Sequence, residues 1–312
     1  MVYFIGVDGG GSKTAAVIMD EAGEVRGEGR SGPSNHLRVG LEEAGNNIRS
    51  AVRQATEQAG TTLASVAFAY CGIAGSDHPA RRGGMVEALL PLFPKSNFSI
   101  DSDTRIALTG AIGFGTGIVV ISGTGSVAFG RNAKGTEARA GGWGPTLGDE
   151  GSGYSIGRRG LAAIVRAYDG RGPKTIMTEL LCNAYAKCDP EDLPYFVYAP
   201  GIRADDIALY NRMVIEAAAQ GDAVANSIFE SEGYELGKTI VAVARKLDLI
   251  EESFPISYIG GAFSAGELLL RPMTEVIQAA VPLATVVPPK EPPVIGAARM
   301  AMASAAQQVR ER

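Results

Sequence analysis

Two similar glycine-rich turns constrain the fold of this chain more than any other feature of its sequence. The first lies in Tyr3–Asp20 (YFIGVDGGGSKTAAVIMD) and the second in Gly117–Arg131 (GIVVISGTGSVAFGR). Apolar runs on both sides of a glycine turn predict a β-hairpin whose turn needs positive φ. Successive amides in such turns can bind an anion. Hydroxyl groups accompany them at Ser12, Thr14, Thr124 and Ser126. Two copies predict a duplicated half, with a phosphate ester held between them.

Three motifs, in chain order, resemble those of a known ATPase family. Asp8–Thr14 (DGGGSKT) and Ile121–Ser126 (ISGTGS) resemble the first and second phosphate motifs of the actin, hexokinase and heat-shock-chaperone ATPase superfamily. Within it, Gly141–Gly153 (GGWGPTLGDEGSG) resembles the N-acetylglucosamine kinase branch of the BadF/BadG/BcrA/BcrD ATPase family. The similarity covers nearly the whole chain, and an ordered set of motifs is more specific than any single match.

The resemblance implies an α/β fold of two ribonuclease H-like (actin-like ATPase) domains with a cleft between them. Strands interleaved with helices predict the same class independently, and 312 residues suffice for two cores. We expect an N-terminal domain at residues 1–112 and a larger C-terminal domain at 113–312, with a hinge near Gly110–Gly117. The last helix is expected at about 296–309, where it can pack back on the N-terminal domain.

The resemblance also implies a function. It indicates an ATP- and Mg²⁺-dependent kinase for N-acetylglucosamine, acting at the 6-hydroxyl, or for a close relative such as N-acetylmuramic acid or glucosamine. Homodimerisation is expected from the family. One alternative is an ATPase activator of a 2-hydroxyacyl-CoA dehydratase or benzoyl-CoA reductase, but the cysteines do not show the cluster-binding arrangement of such activators. The other is a non-catalytic sugar sensor, although the family's catalytic aspartate is present.

Two acidic positions are candidates for the chemistry. Asp103 matches the catalytic aspartate of the family, which orients the sugar hydroxyl and takes its proton late in phosphoryl transfer. At this strand-to-helix junction either Asp101 or Asp103 could instead be the helix N-cap. Asp8 is either a turn carboxylate or, as in the superfamily, an anchor for Mg²⁺ through water. Lys13 either contacts a phosphate or is an exposed turn lysine.

The remaining site residues follow from the motifs. By resemblance, the ATP-binding residues are Gly10, Gly11, Ser12, Lys13, Gly123, Thr124, Gly125, Gly221, Gly260, Gly261 and Ala265. The sugar-binding residues are Asn35, His36, Gly75, Ser126, Gly142, Trp143, Gly144 and Asp149. An amide such as that of Asn35 both donates and accepts, which suits sugar hydroxyls. Asn35 and His36 lie in a loop that looks exposed. Trp143 is either core or a sugar-binding face in a glycine-rich loop.

Composition limits the other functions. The 46% apolar and 20% charged residues are typical of a soluble globular protein. A net charge of -5 without a basic cluster argues against nucleic acid as a partner. No apolar run approaches the roughly 20 residues of a membrane helix, and no signal peptide is visible, so we expect a cytoplasmic protein without a membrane partner. Three cysteines, Cys71, Cys182 and Cys188, lack disulfide or zinc spacing and are expected to be reduced.

Periodicity places the other elements. Apolar spacing predicts a helix over Leu41–Ala59 that ends at Gly60. Further helices are expected at 158–168, 174–186, 206–219 and 222–247. Two motif matches are rejected. Gly233–Thr239 (GYELGKT) resembles a P-loop but lies in an amphipathic helix and is one residue short. Gly123–Ala128 matches a dinucleotide fingerprint but leads into a strand.

Overall fold

The computed structural model describes residues 1–93, 97–184 and 189–310. Its contacts divide the chain into two compact units, one made of Met1–Gly115 with Pro288–Arg312 and one of Thr116–Val287. The expected domain boundary at 112/113 stays a prediction. Each unit contains one five-stranded mixed sheet, so the α/β fold class is confirmed. Among the described residues, no helix has the length and apolar character that crossing a membrane requires.

The first unit is built on a sheet of order β3-β2-β1-β4-β5. Its strands are β1 Tyr3–Gly9, β2 Thr14–Asp20, β3 Val25–Ser31, β4 Val66–Ile73 and β5 Phe98–Asp101. The first three strands are antiparallel neighbours, whereas β4 pairs in parallel with β1 and β5. The first predicted hairpin is therefore confirmed as β1 and β2.

The second unit repeats this arrangement in the order β10-β9-β6-β7-β8. Its strands are β6 Gly117–Ser122, β7 Ser126–Arg131, β8 Glu137–Gly141, β9 Pro255–Ile259 and β10 Thr285–Val287. Again three strands are antiparallel neighbours, and β9 pairs in parallel with β6 and β10. The second hairpin is confirmed, and the shared strand order supports a duplicated half.

Helices follow the strands in both units. In chain order they are α1 His36–Val39, α2 Leu41–Gln58, α3 Pro79–Leu89, α4 Asp103–Ile112, α5 Gly153–Tyr168, α6 Met177–Ala184, α7 Leu193–Val197, α8 Ala204–Ala208, α9 Asn211–Ala219, α10 Ala223–Lys246, α11 Glu267–Ala280 and α12 Pro293–Arg310. Short 3₁₀ helices occupy Leu63–Ser65, Pro190–Asp192 and Gly261–Ala265. The helix predicted at Leu41–Ala59 is confirmed.

The first sheet is covered on its faces by helices that approach it closely. The apolar face of α2, including Ile48 and Val52, is fully buried against the sheet. On α12, Ala298 lies so near β1 that a Cβ on Gly6 would meet its backbone nitrogen at 2.4 Å. A side chain at Gly6 would therefore push α12 off the sheet. The terminal helix thus belongs to the core of the first unit.

The second core surrounds α10. Phe229, Leu236 and Ile240 on this helix are fully buried, and α10 packs against α11 and β7. The P-loop-like segment Gly233–Thr239 lies inside α10, so its rejection is confirmed. Gly123–Ala128 enters strand β7, which confirms the second rejection.

Several element boundaries differ from the sequence prediction. The helix expected at 206–219 is two helices, α8 and α9. The helix expected from residue 158 begins at Gly153 because the Ser152 hydroxyl accepts from the Ser155 amide and caps it. The end of the helix expected at 174–186, and Cys188, lie outside the described residues. Cys71 is buried in β4, as predicted, and burial raises the pKa of its thiol to about 12.

Candidate functional site

The first glycine turn joins β1 to β2 and is braced by the loop after β3. The Gly10 amide donates to Lys13 O at 2.9 Å, and Gly10 O accepts from the amides of Ser34 and Asn35 at 3.0 and 3.1 Å. The Thr14 hydroxyl lies 2.7 Å from Gly32 O and 2.8 Å from Ser34 Oγ. Thr14 is buried, so the expectation that its hydroxyl borders an anion site is wrong. Its role is to hold the turn.

Asn35 and Gly75 lie together beside this turn. Asn35 is the N-cap of α1, with its Oδ1 accepting from the Leu37 amide at 3.1 Å. A Cβ on Gly75, whose φ is 87°, would lie 3.0 Å from that oxygen. Since the oxygen is occupied by the cap, the NH₂ end of Asn35 is the part suited to a sugar oxygen.

His36 differs from the exposed loop residue that the sequence predicted. It begins α1 and is only 9% exposed. The cause is the Asn35 cap, which starts a helical turn here and directs the imidazole inward. A role for His36 in sugar binding stays a prediction, and the expected exposure is wrong.

Asp103 lies in the first turn of α4, in acidic surroundings. Partial burial raises the pKa of its carboxyl to about 7, with further contributions from the negative charges of Asp77 and Asp8. The Ser102 hydroxyl and the Thr104 amide oppose this rise in pKa. Ser102 Oγ donates to Asp77 Oδ1 at 2.6 Å and lies 3.4 Å from Asp103 Oδ1. A carboxylate with a pKa near neutrality is suited to accept a proton at physiological pH.

Asp101, the last residue of β5, has a different environment. Its buried carboxylate accepts from the Tyr70 hydroxyl at 3.1 Å and from the Ser102 amide at 2.7 Å. It also forms ion pairs with Arg82, at 2.7 Å, and with Arg105. Burial and the Asp101 charge raise the pKa of the Tyr70 hydroxyl. Asp101 is therefore a structural anchor.

The N-cap of α4 is Ser102, whose Oγ accepts from the Thr104 amide at 3.2 Å. The prediction that Asp101 or Asp103 is the cap is therefore wrong. Asp101 is committed to its ion pairs, and Asp103 already lies within the helix. The short serine side chain between them reaches the amide two residues later.

Asp8 lies at the end of β1, next to the first turn. Burial raises the pKa of its carboxyl to about 6, and the nearby positive charge of Lys13 opposes this rise. Lys13 itself is exposed. Among the described residues, no group of three or more His, Cys, Asp or Glu side chains could hold a metal ion. Asp8, Asp77 and Asp103 are close enough for their charges to interact. This set fits a hydrated divalent cation better than one ligated directly by the protein.

The second glycine turn is joined to the segment that precedes α5. The Gly123 amide donates to Gly125 O at 2.9 Å. The hydroxyl of Thr124 donates to Asp205 Oδ1 at 2.7 Å, and that of Ser126 donates to Glu150 O at 2.6 Å. Both hydroxyl protons are thus used within the second unit, which leaves the hydroxyl oxygens as acceptors for a ligand.

The loop after β8 carries the candidate sugar residues Gly142–Gly144 and Asp149. Trp143 is 66% exposed, so the core alternative for this residue is wrong. The Arg139 guanidinium lies 5.6 Å from its ring centroid, within cation–π range. Asp149 Oδ1 accepts from the Gly144 amide at 3.2 Å. Burial raises the pKa of Asp149, while the Gly144 and Ser126 amides oppose the rise.

The candidate nucleoside residues are placed in two locations in the second unit. Gly260, at φ 123°, lies against the second turn, since a Cβ there would meet Ser122 O at 2.2 Å. Gly261 and Ala265 bound the 3₁₀ helix that follows. Gly221 lies just after α9, and its amide donates to Ala218 O at 2.9 Å. The contacts of the described residues join Gly260, but not Gly221, to the second turn.

Sequence reasoning missed two acidic residues next to these groups. Asp77 raises the pKa of Asp103, and Glu232 is only 1% exposed in the second core. For Asp77 the available signal was its place at the end of a buried strand and loop. For Glu232 it was a single acidic residue on the apolar face of α10.

Comparison with known proteins shows which family the chain belongs to. The family model of the BadF/BadG/BcrA/BcrD ATPase family matches residues 5–301. The chain is 34% identical over 264 residues to the N-acetylmuramic acid/N-acetylglucosamine kinase of Clostridium acetobutylicum, covering 85% of this chain and 86% of that protein. It is 33% identical over 312 residues to the N-acetyl-D-glucosamine kinase of Dictyostelium discoideum, covering 96% and 98%. A solved structure from Chromobacterium violaceum, provisionally assigned as an N-acetylglucosamine kinase, matches with a TM-score of 0.78 at 25% identity, covering 96% and 99%.

Proposed function

Because this chain belongs to the BadF/BadG/BcrA/BcrD ATPase family, we propose that it is an ATP-dependent amino-sugar kinase. It transfers the γ-phosphoryl group of ATP to the 6-hydroxyl of N-acetylglucosamine or to a close relative such as N-acetylmuramic acid or glucosamine. Two relatives at 34% and 33% identity bear the names of kinases for these N-acetylated sugars. Those matches extend over most of both chains, which supports a shared reaction.

The observation that carries this proposal is the environment of Asp103. Its carboxyl has a pKa of about 7 in the unliganded protein because of partial burial and of the charges on Asp77 and Asp8. In phosphoryl transfer little proton abstraction is needed early. Asp103 orients the sugar hydroxyl through a hydrogen bond and accepts its proton as the new P–O bond forms.

The two glycine turns supply the groups suited to phosphate. In the first turn these are Gly10, Gly11, Ser12 and Lys13, and in the second they are Gly123, Thr124 and Gly125. Backbone amides in such turns donate to phosphate oxygens without a side chain in the way. Gly260, Gly261, Ala265 and Gly221 are assigned to the nucleoside. This assignment rests on the family's motifs.

Mg²⁺ is the metal that the acidic residues of the first unit suit. Asp8 would hold the ion through its water shell, because the described residues offer no cluster for direct ligation. When bound, the ion would supply positive charge to the phosphate oxygens. Its field would also relieve the crowding of negative charge that raises the pKa of Asp103.

The proposed sugar-binding residues come from the first unit, at Asn35 and Gly75, and from the second unit, at Trp143 and Asp149. Asn35 offers its NH₂ end, and Gly75 lies directly beside it, with φ 87°. Trp143 offers an exposed ring and Asp149 a buried carboxylate that hydroxyls can donate to. His36, Gly142, Gly144 and Ser126 complete the proposed sugar-binding set.

A coupled ADP-release assay tests the function. The panel is N-acetylglucosamine, N-acetylmuramic acid, glucosamine and N-acetylmannosamine, each with ATP and Mg²⁺, for the wild type and for Asp103→Ala. We expect sugar-dependent ADP release that collapses in the variant while its circular dichroism spectrum is retained. ADP release that is indifferent to all four sugars would contradict the proposal. Omitting Mg²⁺, with EDTA present, should abolish the signal.

Homodimerisation is part of the same proposal and rests on the family resemblance alone. Multi-angle light scattering of the purified chain measures it directly. A mass of twice the 32.4 kDa of one chain is the expected result. A mass of one chain at assay concentration would contradict it.

A further inference from the structure

We propose that Glu232 is a positioning residue for sugar binding, which acts through Gly151 to hold Asp149 in place. The inference rests on the proposed function, since Asp149 is assigned there to the sugar. Glu232 itself is buried in α10 and is not expected to touch a substrate. Its effect is on the geometry of the loop that joins β8 to α5.

The Glu232 carboxylate is satisfied by three donors from the neighbourhood of that loop. Oε2 accepts from the Gly151 amide. Oε1 accepts from the Ser155 hydroxyl at 2.7 Å and from Arg159 Nη1 at 3.1 Å. A buried carboxylate is costly unless it is hydrogen-bonded and paired. Since charge-assisted hydrogen bonds are roughly twice as strong as neutral ones, the carboxylate holds the Gly151 amide firmly.

Gly151 is held on its other sides as well. The Ser122 hydroxyl donates to Gly151 O at 2.7 Å. A Cβ on Gly151, whose φ is 78°, would lie 2.2 Å from Leu236 Cγ, so the loop is pressed against α10. Leu236 lies one turn after Glu232 on the same face of the helix. Glu232 and Leu236 together fix where this peptide runs.

Asp149 depends on this anchor. Its backbone lies at φ 62°, in the left-handed region that few residues other than glycine adopt, so its conformation depends on the contacts around it. Its carboxylate accepts from the Gly144 amide and so determines the separation between the two ends of the candidate sugar loop. If Glu232 no longer holds Gly151, the chain two residues earlier is free to relax and the Asp149 carboxylate moves.

The rejected P-loop-like motif is explained by the same helix. Gly233 and Gly237 face α11, where a Cβ would lie 2.5 Å from Pro272 Cγ and 2.6 Å from Val276 Cβ. These two glycines permit close helix packing, while the adjacent Glu232 faces the loop. The resemblance of Gly233–Thr239 to a phosphate motif therefore arises from packing on both sides of α10.

The test compares Glu232→Gln with a matched control, Arg159→Met. In Glu232→Gln an NH₂ group replaces one oxygen, so it faces either the Gly151 N–H or the Ser155 and Arg159 donors. Arg159→Met removes the ion pair and leaves the Gly151 and Ser155 bonds. We expect Glu232→Gln to raise the KM for the amino sugar about tenfold, which corresponds to the loss of one charge-assisted hydrogen bond. The KM for ATP should change less than about threefold. Arg159→Met should lower stability, because it leaves the buried Glu232 carboxylate without its ion pair and removes the bond to Ser231, but it should leave both KM values near wild type.

Two further measurements separate positioning from general destabilisation. In the double variant Glu232→Gln/Asp149→Asn, the effects on sugar KM should be strongly non-additive, because Glu232 affects the sugar only by positioning the Asp149 carboxylate. Hydrogen–deuterium exchange should increase at residues 144–153 in Glu232→Gln and not in Arg159→Met. Unchanged sugar KM and exchange in Glu232→Gln, or equal changes in both variants, would overturn the inference. A wild type that phosphorylates no amino sugar would instead show that the proposed function has failed.

Discussion

Asp101 and Asp103 flank the same helix cap, Ser102, yet they lie in opposite electrostatic environments. Asp101 is held by two arginines, a tyrosine hydroxyl and a backbone amide. Asp103 lies near two other aspartates, and its pKa rises to about 7. The carboxylate of Asp101 is committed to ion pairs and hydrogen bonds within the fold, whereas burial and like charges raise the pKa of the Asp103 carboxyl. We infer that the first maintains the fold and the second performs chemistry.

A distance of two residues along the chain separates a carboxylate that maintains the fold from one that is proposed to act in catalysis. Because β5 ends at Asp101, that side chain points into the first core beside β4. Asp103 belongs to α4, and its carboxyl comes out on the side where β1 ends at Asp8 and the β4 loop reaches Asp77. Carboxyl groups with a raised pKa, such as those of Asp8 and Asp103, are typical of functional sites.

The largest effect on stability should come from Asp101→Asn. The substitution leaves Arg82 and Arg105 facing a neutral group, so we expect the free energy of unfolding to fall by about 3–5 kcal/mol. Urea denaturation measures this change. The control is Glu291→Gln, which breaks the more exposed pair with Arg299 and should cost less than about 1 kcal/mol. Similar losses of stability in both variants would contradict the structural role assigned to Asp101.

The second prediction concerns Asp103→Asn and its stability as a function of pH. The folded-state pKa of about 7 lies above the ordinary value of 3.8, so the wild type loses stability as pH rises from about 4 to 7. At pH 8 the variant should be the more stable protein by on the order of 1–2 kcal/mol, after allowance for solvent screening. This advantage should shrink towards pH 4. Thermal unfolding at both pH values checks it, and an advantage that is independent of pH would contradict it.

The third prediction concerns Ser102→Ala, which changes the residue between Asp101 and Asp103. It removes the N-cap of α4, and we expect a loss of about 1 kcal/mol in the free energy of unfolding. It also removes a hydroxyl that lowers the pKa of Asp103, so the acidic limb of the pH–rate profile should move to higher pH. Ser102→Thr, which keeps a capping hydroxyl, is the control. A profile that does not move in Ser102→Ala would separate the cap from the chemistry.

The smallest predicted effect is that of Asp77→Asn. Removing this like charge should lower the pKa of Asp103, because the charge of Asp77 contributes to its rise. We expect the acidic limb of kcat/KM for the sugar to move down by about half a pH unit, since Asp77 is exposed and its charge is screened. The measurement is kcat/KM between pH 5 and 8. A shift to higher pH would contradict the account.

The sequence predicted the elements whose signals are local. Both hairpins and α2 are confirmed because glycine turns and apolar periodicity act over neighbouring residues. The N-cap was predicted wrongly, because Asp-Ser-Asp offers three capping residues in a row. The choice among them depends on Tyr70 and Arg82, which lie far away in the sequence.

Only part of the site was predicted, because motifs are local in the sequence and tertiary contacts are not. Asp103, Asp8 and Asn35 were found through motifs, and the structure gives each of them an environment suited to the predicted chemistry, although their roles stay predictions. The burial of His36 and the supporting contacts of Asp77 and Glu232 depend on tertiary packing. No spacing rule in a single sequence reports such contacts, so these residues became visible only in the fold.

The most direct test of the account is a single-turnover measurement of phosphoryl transfer from ATP to the amino sugar. It compares Asp103→Asn with Asp101→Asn at a temperature where both are folded. We expect the transfer rate to fall about a hundredfold or more in Asp103→Asn, while the affinity for ATP is retained. In Asp101→Asn the rate should stay within about tenfold of the wild type. A normal transfer rate in Asp103→Asn, or equal losses in the two variants, would contradict the assignment of Asp103 as the base.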